Sequence, residues 1–242
     1  MAAVLQSQKI ALITGAVSGI GFAVAKLCRS RGMHLALLDI DAVNLPKAKE
    51  VPESALTDSS LKTEAYTMMW RQSSFKTLDL VSLNAARGTK PESDPKAIII
   101  TDAKQGITNP PGAHNPAYNS SKGAIKILTE HLAHDLRSES TTAHISAHLL
   151  VLGRTWTGLM GNVGPTDAKE VKIMKGSWAP SQRGPFYIIC SDEDVDQALD
   201  QTRMLWGCED ILEDRPALSR WEEGWKRRAE QAIREDAERR RK

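Results

Sequence analysis

Long apolar runs are missing from this 242-residue chain. No stretch approaches the ~18 apolar residues needed to cross a bilayer, which excludes a helical membrane span. The opening "MAAVLQSQK" leads into a short apolar segment without the pattern of a secretory leader, so a cytoplasmic protein is expected. Cysteine is scarce as well. Cys28, Cys190 and Cys208 are odd in number, widely separated and without a CxxC partner, which argues against a disulfide framework, a zinc site or a redox motif. An excess of one charge is also lacking. The formal net charge is +2, so composition gives no pull toward nucleic acid or an anionic membrane. The length suits one α/β domain spanning residues 1–242.

What is present begins with "KIALITGAVSGIGFAVAKLCRSRGMHLALLDID". The run Ile10 to Ile13 is short, apolar and flanked by turn residues, as a strand buried on both faces should be. From Phe22 to Arg31 the pattern becomes helical, with Val24, Leu27 and Cys28 on one face, and Gly32 predicts its end. Leu35 to Leu38 predicts a second buried strand, completing a βαβ unit. Gly15, Gly19 and Gly21 fall between strand and helix. There a glycine permits an unusual turn, lets backbone approach a diphosphate and allows helix to pack on strand. Free N–H groups at the helix start, Ser18 to Gly21 with Ile20 among them, suit phosphate charge. Asp39 closes the second strand, where a carboxylate accepts from ribose hydroxyls and repels a 2′-phosphate. Ala16, Val17 and Ile40 supply no cation to offset that repulsion, so NAD is favoured and NADP is the alternative.

A second motif lies in "NPAYNSSKGAIKILTEHLAHDL". Apolar residues Ala124, Ile127, Leu128, Leu132 and Leu136 predict a long helix with one apolar stripe. Tyr118 and Lys122 stand four apart at its N-terminal end, which sets an ammonium beside a phenol. A phenol with pKa ~10 is a poor acid–base group at neutral pH, and a neighbouring cation favours its ionised form. Such a tyrosine can exchange a proton with an alcohol or carbonyl during hydride transfer.

"TGAVSGIG" at Thr14 to Gly21, Asp39, "LNAARG" at Leu83 to Gly88 and "YNSSK" at Tyr118 to Lys122 resemble, in order, the motifs of the short-chain dehydrogenase/reductase family. The resemblance covers residues 9–158, with 159–242 a divergent substrate-side region and helical tail. It implies a Rossmann-like doubly wound parallel sheet. It also implies that Tyr118 donates or accepts the proton, and that Lys122 lowers the phenol pKa and binds the nicotinamide ribose. Asn84 matches the asparagine that steadies the central strand beside the cofactor. "LGRTWT" resembles the turn after the sixth strand, with Leu152 in place of proline, and implies contacts from Gly153, Thr155 and Thr157 to the nicotinamide end. The implied activity is an NAD(P)-dependent interconversion of a secondary alcohol and a ketone on a small organic substrate, as in secondary metabolism.

Three stretches depart from the family pattern. Between the strand candidates Leu80 to Leu83 and Ala97 to Thr101 stands "NAARGTKPESDPK", which has no helical period. The family has a long helix there, one that carries an active-site asparagine and commonly joins a four-helix subunit interface. A homo-oligomer would therefore lack its usual interface helix. "RQSSFKT" and "GSWAPSQRGPFYIIC" are shortened too, so the sheet is expected to miss part of its helical cover. The family's catalytic serine sits in an "SSxxG" turn, and the matching "TDAKQG" places Ala103 at that position, with Thr101 and Thr108 the nearest hydroxyls. These departures motivate the alternatives of a catalytically impaired dinucleotide-binding pseudoenzyme and of a shortened gene product.

The remaining candidates have plainer readings. His144, Ser146 and His148 alternate along a strand and suit packing better than a metal site. His131 and His134 are expected on the solvated side of the Tyr118 helix. "RPALSRWEEGWKRRAEQAIREDAERRRK" predicts a helix with a stripe of Trp221, Trp225, Ala229 and Ala232, whose basic end is a solvated terminus. With "FYIIC" it resembles a C-terminal extension of some microbial family members, which implies a place beside the substrate entrance.

Overall fold

The computed structural model describes residues 7–39, 41–49, 61–67, 80–83, 96–112, 115–153, 185–190 and 195–241. The strands are β1 (Ile10–Thr14), β2 (His34–Asp39), β3 (Thr63–Thr67), β4 (Leu80–Leu83), β5 (Lys96–Ala103), β6 (Ile145–Leu152) and β7 (Tyr187–Ile189). They form one sheet in the order β3-β2-β1-β4-β5-β6-β7. The helices are α1 (Gly19–Ser30), α2 (Leu45–Lys49), α3 (Gln105–Thr108), α4 (Asn115–Ser138), α5 (Gln197–Leu212) and α6 (Glu223–Arg240). Tertiary contacts sort the chain into two compact units. The first holds β1 to β4, β5 up to Thr101, the part of α4 from Thr129, β6 up to Leu150, and β7 up to Ile188. The second holds Asp102 to Leu128, the end of β6, and Ile189 onward.

In the first unit β1 and β2 pair in parallel, Ile10 opposite His34 and Thr14 opposite Leu38, with β3 parallel on the far side of β2. Ala11, Ile13, Leu35, Leu37 and Ile99 are all buried while the residues between them are half-buried, so one face of these strands is covered more fully than the both-face burial expected from their sequence. Each such fully buried branched side chain contributes roughly 1.5–3 kcal/mol relative to exposure. Gly32 takes φ +73° after α1, and the Met33 amide returns to the Cys28 carbonyl at 3.1 Å, which ends the helix where the sequence predicts.

One strand runs against the others. β4 is antiparallel to both neighbours, with Ile13 opposite Val81 on one side and Leu83 opposite Ala97 on the other. β1 and β5 therefore keep a common direction. A parallel crossover needs a dozen or more residues, usually with a helix, whereas antiparallel neighbours can be joined by a short link. The linking segments 68–79 and 84–95 lie outside the described residues, as do 154–184 and the predicted losses of helix within all three. The amide of Lys96 donates to His144 and that of Lys104 to Leu152, an ascending pattern that makes β6 parallel to β5. The same ascent, Leu149 to Phe186 and Cys190 to Val151, makes β7 parallel to β6.

The predicted stripe of α4 is not its buried face. Ile127 is 54% and Leu128 68% exposed, whereas Lys122, Ile125, Thr129 and Ala133 are buried. Periodicity found the helix and missed its orientation, because polar residues on the inward face do not register as apolar. His148 sits buried on β6 with Nδ1 on the Pro185 carbonyl at 3.2 Å and Nε2 on Ser146 Oγ at 2.9 Å, the packing role expected of it. His131 and His134 are exposed.

In the second unit α5 and α6 pack around Trp206, Ala229 and Ile233, with Leu199, Trp225 and Ala232 against them. Asp196 caps α5 by accepting from the Leu199 amide at 2.9 Å. The Arg215 guanidinium lies 4.2 Å from the Trp206 ring and pairs with Glu209 at 3.1 Å. The Trp206 indole N–H donates to Ser219 Oγ at 2.8 Å, and Ser219 in turn donates to Asp210 Oδ1 at 2.5 Å. Ser219 is wholly buried, so Ser219→Ala should leave a buried donor unmet and cost about 1–3 kcal/mol, measured as a lower urea midpoint with an unchanged slope.

Candidate functional site

The glycine turn after β1 belongs to the first unit. Gly15 and Gly19 take φ +62° and +52°, the left-handed region that side chains disfavour. Gly21 is constrained by space. A Cβ there would lie 2.1 Å from the Gly15 carbonyl oxygen, so the first turn of α1 presses directly on the turn that precedes it. Ser18 is the N-cap with an extended backbone, and its side chain makes no capping hydrogen bond. No acidic residue occupies the first turn of α1. The leading N–H groups of Gly19, Ile20 and Gly21 are thus left for an anion, and the helix dipole adds to the attraction.

Asp39 does more than the sequence implies. Its Oδ2 accepts from the Val17 amide at 2.8 Å and its Oδ1 from the Asp41 amide at 3.0 Å. The Ala16 amide also reaches the Leu38 carbonyl at 3.3 Å. The end of β2 therefore braces the glycine turn, and the remaining lone pairs of the carboxylate stay open to ribose hydroxyls.

Tyr118 and Lys122 belong to the second unit, on the first turns of α4. The Lys122 ammonium lies 5.7 Å from the centre of the Tyr118 ring, and Lys122 is only 5% exposed while Tyr118 is half-buried. The predicted pair is brought together. Gly106 of α3 explains how the loop after β5 reaches them: a Cβ there would come within 2.7 Å of the Lys122 carbonyl carbon, so only glycine admits that approach. Asn119 donates through Nδ2 to Asn109 Oδ1 and to the Pro110 carbonyl, both at 3.0 Å, and Asn115 donates to the carbonyls of Pro110 and Pro111 at 3.2 Å. These bonds fasten the loop to the helix start beside Tyr118.

The position matched to the family serine is Ala103, 7% exposed. Thr108 donates its hydroxyl to the Lys104 carbonyl at 3.0 Å, and Thr101 is buried with its hydroxyl unpartnered. Asn84, Thr155 and Thr157 lie outside the described residues.

Sequence reasoning passed over Asp102. It is 1% exposed, and neither carboxylate oxygen completes a hydrogen bond. Burial raises its carboxyl above the usual range, against opposing pulls from the Ala103 amide, which misses hydrogen-bond geometry, and from Lys122 and Lys126. A carboxylate inside the apolar run "AIIITDA" was the available signal, since Asp is rarely buried without a partner. Cys28, by contrast, is buried with its thiol pushed up to about 12, which makes it an inert core residue.

No family model matches the chain, and no curated protein matches it. Solved structures do. The chain is similar to a short chain dehydrogenase/reductase from Burkholderia phymatum in complex with NAD, at 18% identity and TM-score 0.59 over 86% of this chain and 96% of that one. A 7beta-hydroxysteroid dehydrogenase matches at 14% identity and TM-score 0.52 over 97% and 99%. A short chain dehydrogenase from Shigella flexneri complexed with NADP matches at 15% identity and TM-score 0.51 over 72% and 90%. The chain has the short-chain dehydrogenase/reductase fold, an α/β sheet with flanking helices.

Gly21→Ala should disrupt the turn, because the obstructing atom is a backbone carbonyl that cannot rotate away. The expected result is a lower melting temperature than that of the native protein, read by thermal melting.

Proposed function

We propose that the chain is an NAD-dependent oxidoreductase, one dinucleotide-binding domain over residues 1–242, that interconverts a secondary alcohol and a ketone on a small organic substrate. The observation that carries this reading is the uncapped start of α1 with Gly21 against Gly15 and Asp39 braced on Val17. That arrangement fits a diphosphate and an adenosine ribose. Bound NAD supplies the hydride acceptor. Support for NAD comes from Asp39, and the fold neighbours crystallised with NAD and with NADP keep NADP as the alternative.

The chain's own residues hold the cofactor and move the proton. The N–H groups of Gly19, Ile20 and Gly21 receive the diphosphate, and Asp39 receives the ribose hydroxyls. Tyr118 exchanges the proton with the substrate oxygen, and Lys122 favours the phenolate and holds the second ribose. Thr155, Thr157 and Asn84 complete the nicotinamide end in this reading. A second reading, a dinucleotide-binding pseudoenzyme, is favoured by the methyl of Ala103 where a hydroxyl donor would stand. Loss of one such donor costs on the order of a hundredfold or more in rate.

Two measurements separate these readings. NAD at a hundred times its dissociation constant should stabilise the fold by about 2.7 kcal/mol, seen as a raised melting temperature in either reading. Reduction of NAD with a panel of secondary alcohols should proceed in the native protein and fall at least about a hundredfold in Tyr118→Phe. Turnover that survives this substitution removes Tyr118 from the mechanism, and binding without turnover on any alcohol establishes the pseudoenzyme.

A further inference from the structure

An ion pair buried in the second unit has no task in the mechanism above. The Lys104 ammonium meets the Asp200 carboxylate at 2.5 Å, and the two residues are 8% and 2% exposed. Lys104 stands directly after Ala103 at the head of α3, and Asp200 lies in the first turn of α5. The pair therefore ties the C-terminal helices to the loop that follows β5. Net stability is a poor reason for it. Both charges must leave water, and apolar residues of similar volume often stabilise as much, whereas an ion pair fixes one geometry.

The backbone of Lys104 is fastened as well. Its amide donates to the Leu152 carbonyl at 3.0 Å, and its carbonyl accepts from the Ile107 and Thr108 amides at 3.0 and 2.9 Å and from the Thr108 hydroxyl at 3.0 Å. α3 is thus a single turn built on Lys104. That turn carries Gly106, which lies so near α4 that a Cβ on it would come within 2.7 Å of the Lys122 carbonyl carbon and 2.8 Å of Lys122 Cβ. A continuous series of contacts runs from Asp200 through Lys104 and Gly106 to Lys122, all inside one compact unit.

We infer that Asp200 is a positioning residue: by holding Lys104 it keeps the α3 turn seated on Lys122, so that the ammonium stays covered and close to the Tyr118 ring. This rests on the proposed proton-transfer role of Tyr118 and Lys122. A covered ammonium acts strongly on a neighbouring phenol because little water lies between them to screen it. Without Asp200 the Lys104 ammonium would be buried alone, and the turn must lift to hydrate it. Lys122 then meets water, and its hold on the phenol weakens. The C-terminal helices take part in the site through this link.

The test reads the phenol directly and needs neither substrate nor cofactor. In 13Cζ-tyrosine NMR the three tyrosines, Tyr66, Tyr118 and Tyr187, are distinguished by Tyr→Phe substitutions. Asp200→Asn should raise the Tyr118 midpoint by about one pH unit, the scale of one cation acting at short range. The sign carries the argument. Removing a negative charge with the turn unmoved would lower the midpoint through the field alone, so a rise reports displacement. Asp200→Glu keeps the charge and lengthens the link by one methylene, and it should raise the midpoint by less. An unmoved or lowered midpoint in folded Asp200→Asn overturns the inference. If Asp200→Asn fails to fold, Asp200→Glu decides, and an unmoved or lowered midpoint there overturns it. A merely structural pair would lower the melting temperature of both variants and leave the Tyr118 midpoint in place. NAD-linked turnover surviving in Tyr118→Phe would defeat the proposed function and not this positioning, whereas an unmoved midpoint defeats the positioning and not the function.

Discussion

The carbonyl oxygen of Gly15 occupies the place where a side chain at position 21 would begin. The glycine turn is built around that contact. It sets α1 down on the end of β1; the helix start beside it is uncapped, and Asp39 of β2 accepts from the Val17 amide of the same turn. A helix start with a capping side chain or an acidic first turn would have satisfied itself. Here the leading donors are left without a partner from the helix's own cap.

The reversed strand keeps its place in the sheet order. β4 lies between β1 and β5 and pairs with both, although it runs against them. Antiparallel ladders satisfy the backbone as well as parallel ones do, and they ask less of the connecting chain. Because β4 runs against both neighbours, β1 and β5 share one direction.

Helix α4 turns inward a face that includes Asn119, Lys122 and Thr129, and outward a face that includes Ile127 and Leu128. Burying an ammonium costs free energy that no apolar packing residue would cost. Such a local conflict between pattern and placement is expected at functional sites, where chemistry outweighs packing. Asp102 belongs to the same conflict from the side of the strand.

Much of this was legible in residues alone. Ile10 to Ile13, Leu35 to Leu38 and Leu80 to Leu83 announced strands because short apolar runs between turn residues have few other uses, and Gly15, Gly19 and Gly21 announced a turn because only glycine tolerates the required backbone. Tyr118 and Lys122 met because a helix repeats every 3.6 residues. The direction of β4 was beyond reach, since a strand's sequence reads alike in parallel and antiparallel pairing. So was the inward face of α4, because burial depends on which elements cover it, and so was the isolation of Asp102, because a missing partner is a property of three dimensions.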